Sequence, residues 1–340
     1  MRNFELHEDF EIEGIWSLAD ESVDRTAGTL RYRQSDGAVL SLIGHFDRSD
    51  RGSMPMTHED DTWNAVVYGF TKNGQEISLL ETHRVRSSLS APGFAVEEWS
   101  SNFLIIGKHI DNLEIDEFQE SRFRFDGIED WLNHEIFTTR YEGSLREITV
   151  TAKNIERKVL GTCRDFDLYV SSEIYAHENS AGEATLSGRC YFEIIAHHEK
   201  SIKWHLEIAS RLRDLSSLCY GRHLNIESIS VKNKLVTGEK SYRNSDYFYI
   251  YPRYHYTSKR TSRRYVNKFA SLNDLLTNNA SVFQSWLDQY DTIKPCLDLF
   301  FVLRSRDNGI LHVKFLLSIQ AVEVFHRLTS DNTVVRPPSI

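Results

Sequence analysis

"GTLRYRQSDGAVLSLIGHF", Gly28 to Phe46, decides how this chain is read. Its residues alternate around Leu30 and Tyr32, break at Asp36-Gly37, and resume from Val39 to Phe46. Alternation with period two puts every second side chain on one face of a strand. Asp-Gly supplies the positive φ angles that a tight turn needs. The stretch is therefore a β-hairpin. "NAVVYGFTKNGQEISLLET", Asn64 to Thr82, repeats the pattern with Asn73-Gly74 at the turn. "FAVEEWSSNFLIIG" (Phe94 to Gly107) and "SRFRFDG" (Ser121 to Gly127) add strands, and "DGIEDWLNH" predicts a short helix with Ile128, Trp131 and Leu132 on one face.

A second β region follows, with "SLREITV", "DFDLYVSSEIY" and "GRCYFEIIAH" as short strand-like runs. From Glu199 the period changes. Ile202, Leu206, Ala209, Leu212, Leu215 and Leu218 are spaced by three and four, which predicts an amphipathic helix ending near Gly221. "HLNIESISVKNK" reads as another strand. After Ala270 the chain turns helical, and Pro295 either starts a new helix or kinks the old one. The fold class is α+β: antiparallel hairpins in two subregions, 1–135 and 136–270, then a helical segment over 271–340.

The chain has 340 residues, 40% hydrophobic and 26% charged, which is a globular composition. A net charge of -9 argues against a general electrostatic nucleic-acid binder. Cys163, Cys190, Cys219 and Cys296 are scattered without a CxxC pair, so free thiols in a reducing cytoplasm are expected. No stretch is long and apolar enough to span a bilayer.

No phosphate loop, nucleophile elbow, zinc helix or dinucleotide fingerprint is present. "THEDD" (Thr57 to Asp61) reads as a solvated loop better than as a cation site. His198 and His205 could share a helix face, yet no third ligand accompanies them. No metal and no cofactor are expected. Between Tyr242 and Lys268 the composition shifts to tyrosine and arginine. Arg243, Tyr251, Arg253, Tyr254, Arg260, Arg263 and Arg264 are candidates for RNA binding, since cations neutralise phosphates and aromatic faces stack on bases. The competing reading, which the net charge favours, packs the tyrosines on the body and leaves a solvated basic loop.

"RDNGILH" holds Arg306 and His312 at the spacing of metal-independent HEPN ribonucleases. A His can act as acid or base on a ribose hydroxyl while an Arg stabilises phosphate charge. Asn308-Gly309 between them is a turn signal, so a loop joining two helices is the favoured reading.

"FEIEGIWSLAD" with Gly14 and Trp16, and "AGTL" with Gly28, Thr29 and Leu30, resemble the N-terminal domain of ApeA-type antiphage proteins. "FDGIEDWL" (Phe125 to Leu132) and "RHLNIESISV" are similar to later landmarks of that family. "VKFLLSIQAVEVFHR", with Glu323 and His326, is similar to the start of its HEPN helices. The resemblance implies a bacterial, cytoplasmic abortive-infection protein. Its β-rich domain would sense a phage protein of capsid type, and its HEPN domain would cut RNA. In the family the Arg…His motif lies beyond the "QAVEVFHR" helix, whereas about a dozen residues follow Arg327 here. The expectation is thus a sensor over 1–270 and a truncated HEPN-like segment over 271–340, without the nuclease motif in its usual place. Whether the chain is an enzyme stays open. One alternative is an active ribonuclease using Arg306 and His312. Another is a β-rich RNA-binding module. The unfilled apolar helices at the C-terminus predict a homodimer.

Overall fold

β6 (Ala95–Ile106) is the strand on which the architecture turns. In the computed structural model, which describes residues 4–19, 25–46, 65–89, 93, 95–132, 136–154, 156–179, 183–232, 247–253, 269–278, 281–305 and 310–330 apart from 143–146, β6 pairs with three strands. β5 (Glu76–Leu89) runs along one side of it, from Ile77↔Ile106 to Leu89↔Ala95. On the other side β3 (Gly37–Ile43) takes the first half, and β14 (Phe248–Pro252) takes the second.

The pairing closes on itself. β3 joins β2 (Thr26–Arg33), then β1 (Phe10–Leu18), β4 (Ala65–Thr71), β5 and β6 again, all antiparallel. This six-stranded barrel leaves no free edge among its members. Gly37 and Gly74, at φ +76° and +75°, sit in the two predicted turns. The buried residues keep period two: Leu30 and Tyr32 on β2, and Ala38, Leu40 and Leu42 on β3.

From β14 the sheet continues outward through β13 (Ile226–Lys232), β7 (Glu117–Phe125), β12 (Glu183–Ser201), β11 (Phe166–Asn179) and β10 (Lys158–Thr162). β7 comes from the first sequence subregion and lies between strands of the second, so the two subregions share one sheet. A separate hairpin is formed by β8 (Phe137–Glu142) and β9 (Glu147–Ala152).

One face of the outer sheet is apolar. Phe123, Phe125, Phe192, Ile194, Ile229 and Val231 are buried on it. Trp131 on α1 (Ile128–Leu132) closes one end, with its ring 6.0 Å from Phe192. α2 (Ile202–Tyr220) covers this face. Ser201 caps its start by accepting from the Trp204 N–H, and Gly221 ends it in the left-handed conformation.

β12 carries strand geometry through Ser201, and the helix begins at Ile202, the first residue of its periodic set. His198 is therefore on a strand and His205 on a helix, and they share no helix face. His205 is buried. Its Nε2 donates to the Phe118 carbonyl at 3.0 Å, and its Nδ1 accepts from the Ser121 hydroxyl at 2.9 Å. It is a neutral core histidine. Desolvation lowers its pKa to about 4.

The C-terminal helices are α3 (Leu272–Asn278), α4 (Val282–Ser305) and α5 (Leu311–Thr329). α4 runs unbroken through Pro295. It docks on α2 through the Trp286 indole N–H, which donates to the Arg211 carbonyl at 2.8 Å, and through Tyr290 to Asp214. α5 packs on α4 and buries none of its residues completely. Phe315 and Val322 on it are 64% and 69% exposed. No helix among the described residues is long and apolar enough to cross a membrane.

Candidate functional site

The opposite face of the outer sheet is polar, and its residues line up in rows across the strands. Tyr169, Glu193, Arg122, Ser230 and Tyr249 follow one another through β11, β12, β7, β13 and β14. Glu173 and Arg189 are cross-strand partners beside that row. The alternation that buries Phe123 and Phe125 turns Arg122 and Arg124 to this side.

Arg122 is the centre. It pairs with Glu173, and with Glu193 at 2.7 Å. The Tyr191 and Tyr247 rings hold its guanidinium at 5.0 and 4.6 Å. Arg157 reaches Glu193 at 2.6 Å. Arg124 joins Glu227 at 2.8 Å and Glu5 at 3.1 Å, and Arg189 reaches Glu5 at 2.9 Å. Burial works against charge on Arg122, but Tyr247, Glu193 and Glu173 outweigh it and raise its pKa. Burial likewise opposes ionised Glu193, yet Arg122, Arg157 and Ser171 hold its carboxyl below the usual range. Both groups stay charged at neutral pH.

The N-terminal segment lies over this face. The Leu6 N–H donates to the Glu227 carbonyl at 2.8 Å, and the Tyr251 hydroxyl donates to the Phe4 carbonyl at 3.1 Å. A small cavity of about 30 Å³ remains, walled by Phe4, Tyr175, Tyr191, Tyr247, Tyr249, Arg122, Arg189, Glu5 and Glu173, with Ser228 and Ser230. Donors, acceptors and ring faces converge here, which suits recognition of a polar group. The cavity holds no nucleophile–base pair. Among the described residues no group of three His, Cys, Asp or Glu could hold a metal ion.

The four cysteines are buried free thiols. Desolvation pushes Cys163 and Cys219 up to about 11, so neither is an activated nucleophile.

The family model described as ApeA N-terminal domain 1 matches residues 11–286, most of the chain. The chain belongs to this family. No curated protein and no solved structure matches it. The match spans the ApeA domain's barrel, its outer sheet, α2 and the first residues of α4. The landmark Gly14, Trp16 and Gly28 lie together in the barrel, where the Trp16 indole N–H donates to the Gly28 carbonyl at 3.1 Å. They are packing residues.

Of the residues singled out for chemistry, His312 lies exposed in the first turn of α5. Arg306 lies outside the described residues. So do Arg243, Tyr254, Arg260, Arg263 and Arg264, and the "THEDD" loop. Tyr251 is 2% exposed, with its ring 5.2 Å from Phe10 and 5.4 Å from Tyr32, so its faces are used in the ApeA domain's core. Arg253 follows β14 at the surface and donates its backbone N–H to the Asn102 carbonyl at 2.7 Å. The Arg122 cluster was not singled out by sequence. Its one signal was "SRFRF", two arginines on the off-beat of a buried strand, which on sequence alone reads as a solvated face.

Proposed function

We propose that this chain is the recognition part of an ApeA-type antiphage protein, and that its β-rich domain binds a phage protein of capsid type. The observation that carries the reading is the extent of the family match, which spans the barrel and the outer sheet as one unit. A closed barrel continued by a sheet with a polar, aromatic face suits protein recognition better than catalysis. The protein acts in the bacterial cytoplasm as part of abortive infection. The α4–α5 hairpin is the docking element for a second copy, since α5 presents apolar residues on the side turned away from α4.

The test is incubation of purified protein with bulk tRNA, alone and with purified capsid protein. The expected result is no cleavage in either case, because the Asn308-Gly309 turn signal between Arg306 and His312 favours a loop joining two helices over a catalytic pair. Cleavage lost in His312→Ala would establish the ribonuclease reading instead. Salt-dependent tRNA binding without cleavage would favour RNA recognition through the Tyr/Arg stretch.

A further inference from the structure

Glu5 reaches the polar face from outside the sheet. It belongs to the segment ahead of β1, where the Glu8 N–H donates to the Glu5 carbonyl at 2.9 Å and the Glu5 N–H donates to the Glu8 carboxylate at 3.0 Å. These bonds close a turn on itself. The turn aims Glu5 at the sheet. Its carboxylate sits 3.1 Å from the Arg124 guanidinium on β7 and 2.9 Å from that of Arg189 on β12. On either side of Glu5 in sequence, the Phe4 ring stacks on Phe10 at 4.2 Å, and Leu6 is 1% exposed in the core. Three consecutive residues thus meet three different features: a ring, a pair of cations and the apolar core.

The family match begins at Glu11. Arg124 and Arg189 lie within the matched domain, and the Phe4–Glu8 turn lies ahead of it. A self-closed turn whose carboxylate bridges two arginines of the domain has the form of a bound acidic peptide. Removing it outright is unfavourable, since the Arg124 side chain is 11% exposed and a buried cation that loses a carboxylate is poorly compensated. Glu227 and Glu129 also pair with Arg124, and an exchange at Glu5 leaves them in place. The turn therefore leaves most readily where another carboxylate arrives. Such an exchange needs no room in the cavity, because Phe4 and Glu5 are themselves walls of it.

We propose that the Phe4–Glu8 turn is an internal stand-in for a partner, and that a segment of the recognised protein with an aromatic, an acidic and an aliphatic residue in a row takes its place on Arg124 and Arg189. This rests on the protein-recognition reading above and names the chemistry of what is recognised. The closed turn lowers the affinity for that segment by the fraction of molecules in which it is open. Loosening the turn therefore strengthens binding, which a purely structural turn would not do.

The probe is the capped, fluorescein-labelled peptide Phe-Glu-Leu-His-Glu, titrated with the full chain and followed by anisotropy. The Phe4→Ala/Glu5→Gln chain should bind it at least about tenfold more tightly than the unaltered chain. Glu5→Gln alone, which keeps the shape of the turn and removes its charge, should shift binding in the same direction. On the loosened chain, a peptide with Gln in place of its first Glu should bind about tenfold more weakly, and adding Arg189→Gln should weaken the original peptide by a similar factor. Equal binding by the unaltered and loosened chains, no binding by either loosened chain, or equal binding of the Gln peptide would overturn the proposal. No phage component enters this titration, so its failure leaves capsid recognition standing. Failure of capsid binding alongside selective peptide exchange would leave the arginine site standing.

Discussion

The indole of Trp16 packs so tightly on β4 that a Cβ placed on Gly69 would lie 2.3 Å from its ring carbons. Gly14 on β1 and Gly28 on β2 allow similarly close approaches. A Cβ on Gly14 would meet the Phe70 carbonyl oxygen at 2.6 Å, and one on Gly28 the Ser41 carbonyl oxygen at 2.7 Å. The barrel is closed around one large ring, and the missing side chains are as much a part of the packing as the ring.

Gly69→Ala should therefore destabilise the protein by about 3 kcal/mol, the upper range for overpacking a core. The opposing gain from a less flexible unfolded chain is under about 1 kcal/mol. Urea denaturation followed by tryptophan fluorescence measures the difference. An unchanged midpoint would show that the ring has room to move.

His205 makes stability depend on pH. Its folded pKa, about 4, lies below the 6.5 of the free side chain. The unfolded chain takes up the proton first as pH falls, so the contribution is fully present above 6.5 and is lost down to about 4. The loss amounts to about 3 kcal/mol at most. Denaturant melts at a series of pH values should show it, and His205→Gln should remove that part of the slope. A slope that His205→Gln leaves intact would assign the acid sensitivity to other groups.

Tyr290 holds α4 to α2. Its hydroxyl donates to the Asp214 carboxylate at 2.6 Å, and Asp214 is 5% exposed. Tyr290→Phe removes one partner of a buried charged acceptor, while Arg213 still pairs with it at 2.6 Å. The expected cost is about 1–3 kcal/mol. Hydrogen exchange should speed up in α4 and not in the barrel. Faster exchange throughout would mean that the helices and the sheet unfold together.

The apolar surface of α5 predicts a dimer. Light scattering after size exclusion should give twice the chain mass, and Phe315→Glu with Val322→Glu should give the monomer. A monomeric unaltered chain would contradict this.

The hairpins were readable from sequence because their signals are local. Alternation and the Asp36-Gly37 and Asn73-Gly74 turns are contained in about twenty residues. The joining of the two β regions was not. It depends on Tyr249 to Pro252 pairing with Phe103 to Ile106, strands far apart in the chain with no pattern linking them. The onset of α2 is blurred in sequence because β12 runs directly into it through Ser201, so that Glu199, where the period changes, is still on the strand. Pro295 leaves open whether a new helix starts there or the old one is kinked, and it lies inside one helix, α4. The candidate site was the least readable part. Arginines facing water and arginines facing glutamates across a sheet have the same period, and only the register of β7 with β12 tells them apart. Tyr251 has two readings in sequence. In an aromatic, basic stretch it is a candidate for base stacking or, as the net charge favours, for packing on the body, and its neighbours Phe10 and Tyr32 lie against its ring in the core.

The central claim is that the β-rich domain recognises a phage protein. Calorimetric titration of the purified chain with a panel of purified phage capsid proteins, and with bulk tRNA in parallel, tests it most directly. The account predicts saturable binding of at least one capsid protein and no salt-dependent binding of tRNA. Binding of tRNA with no capsid protein bound would contradict it.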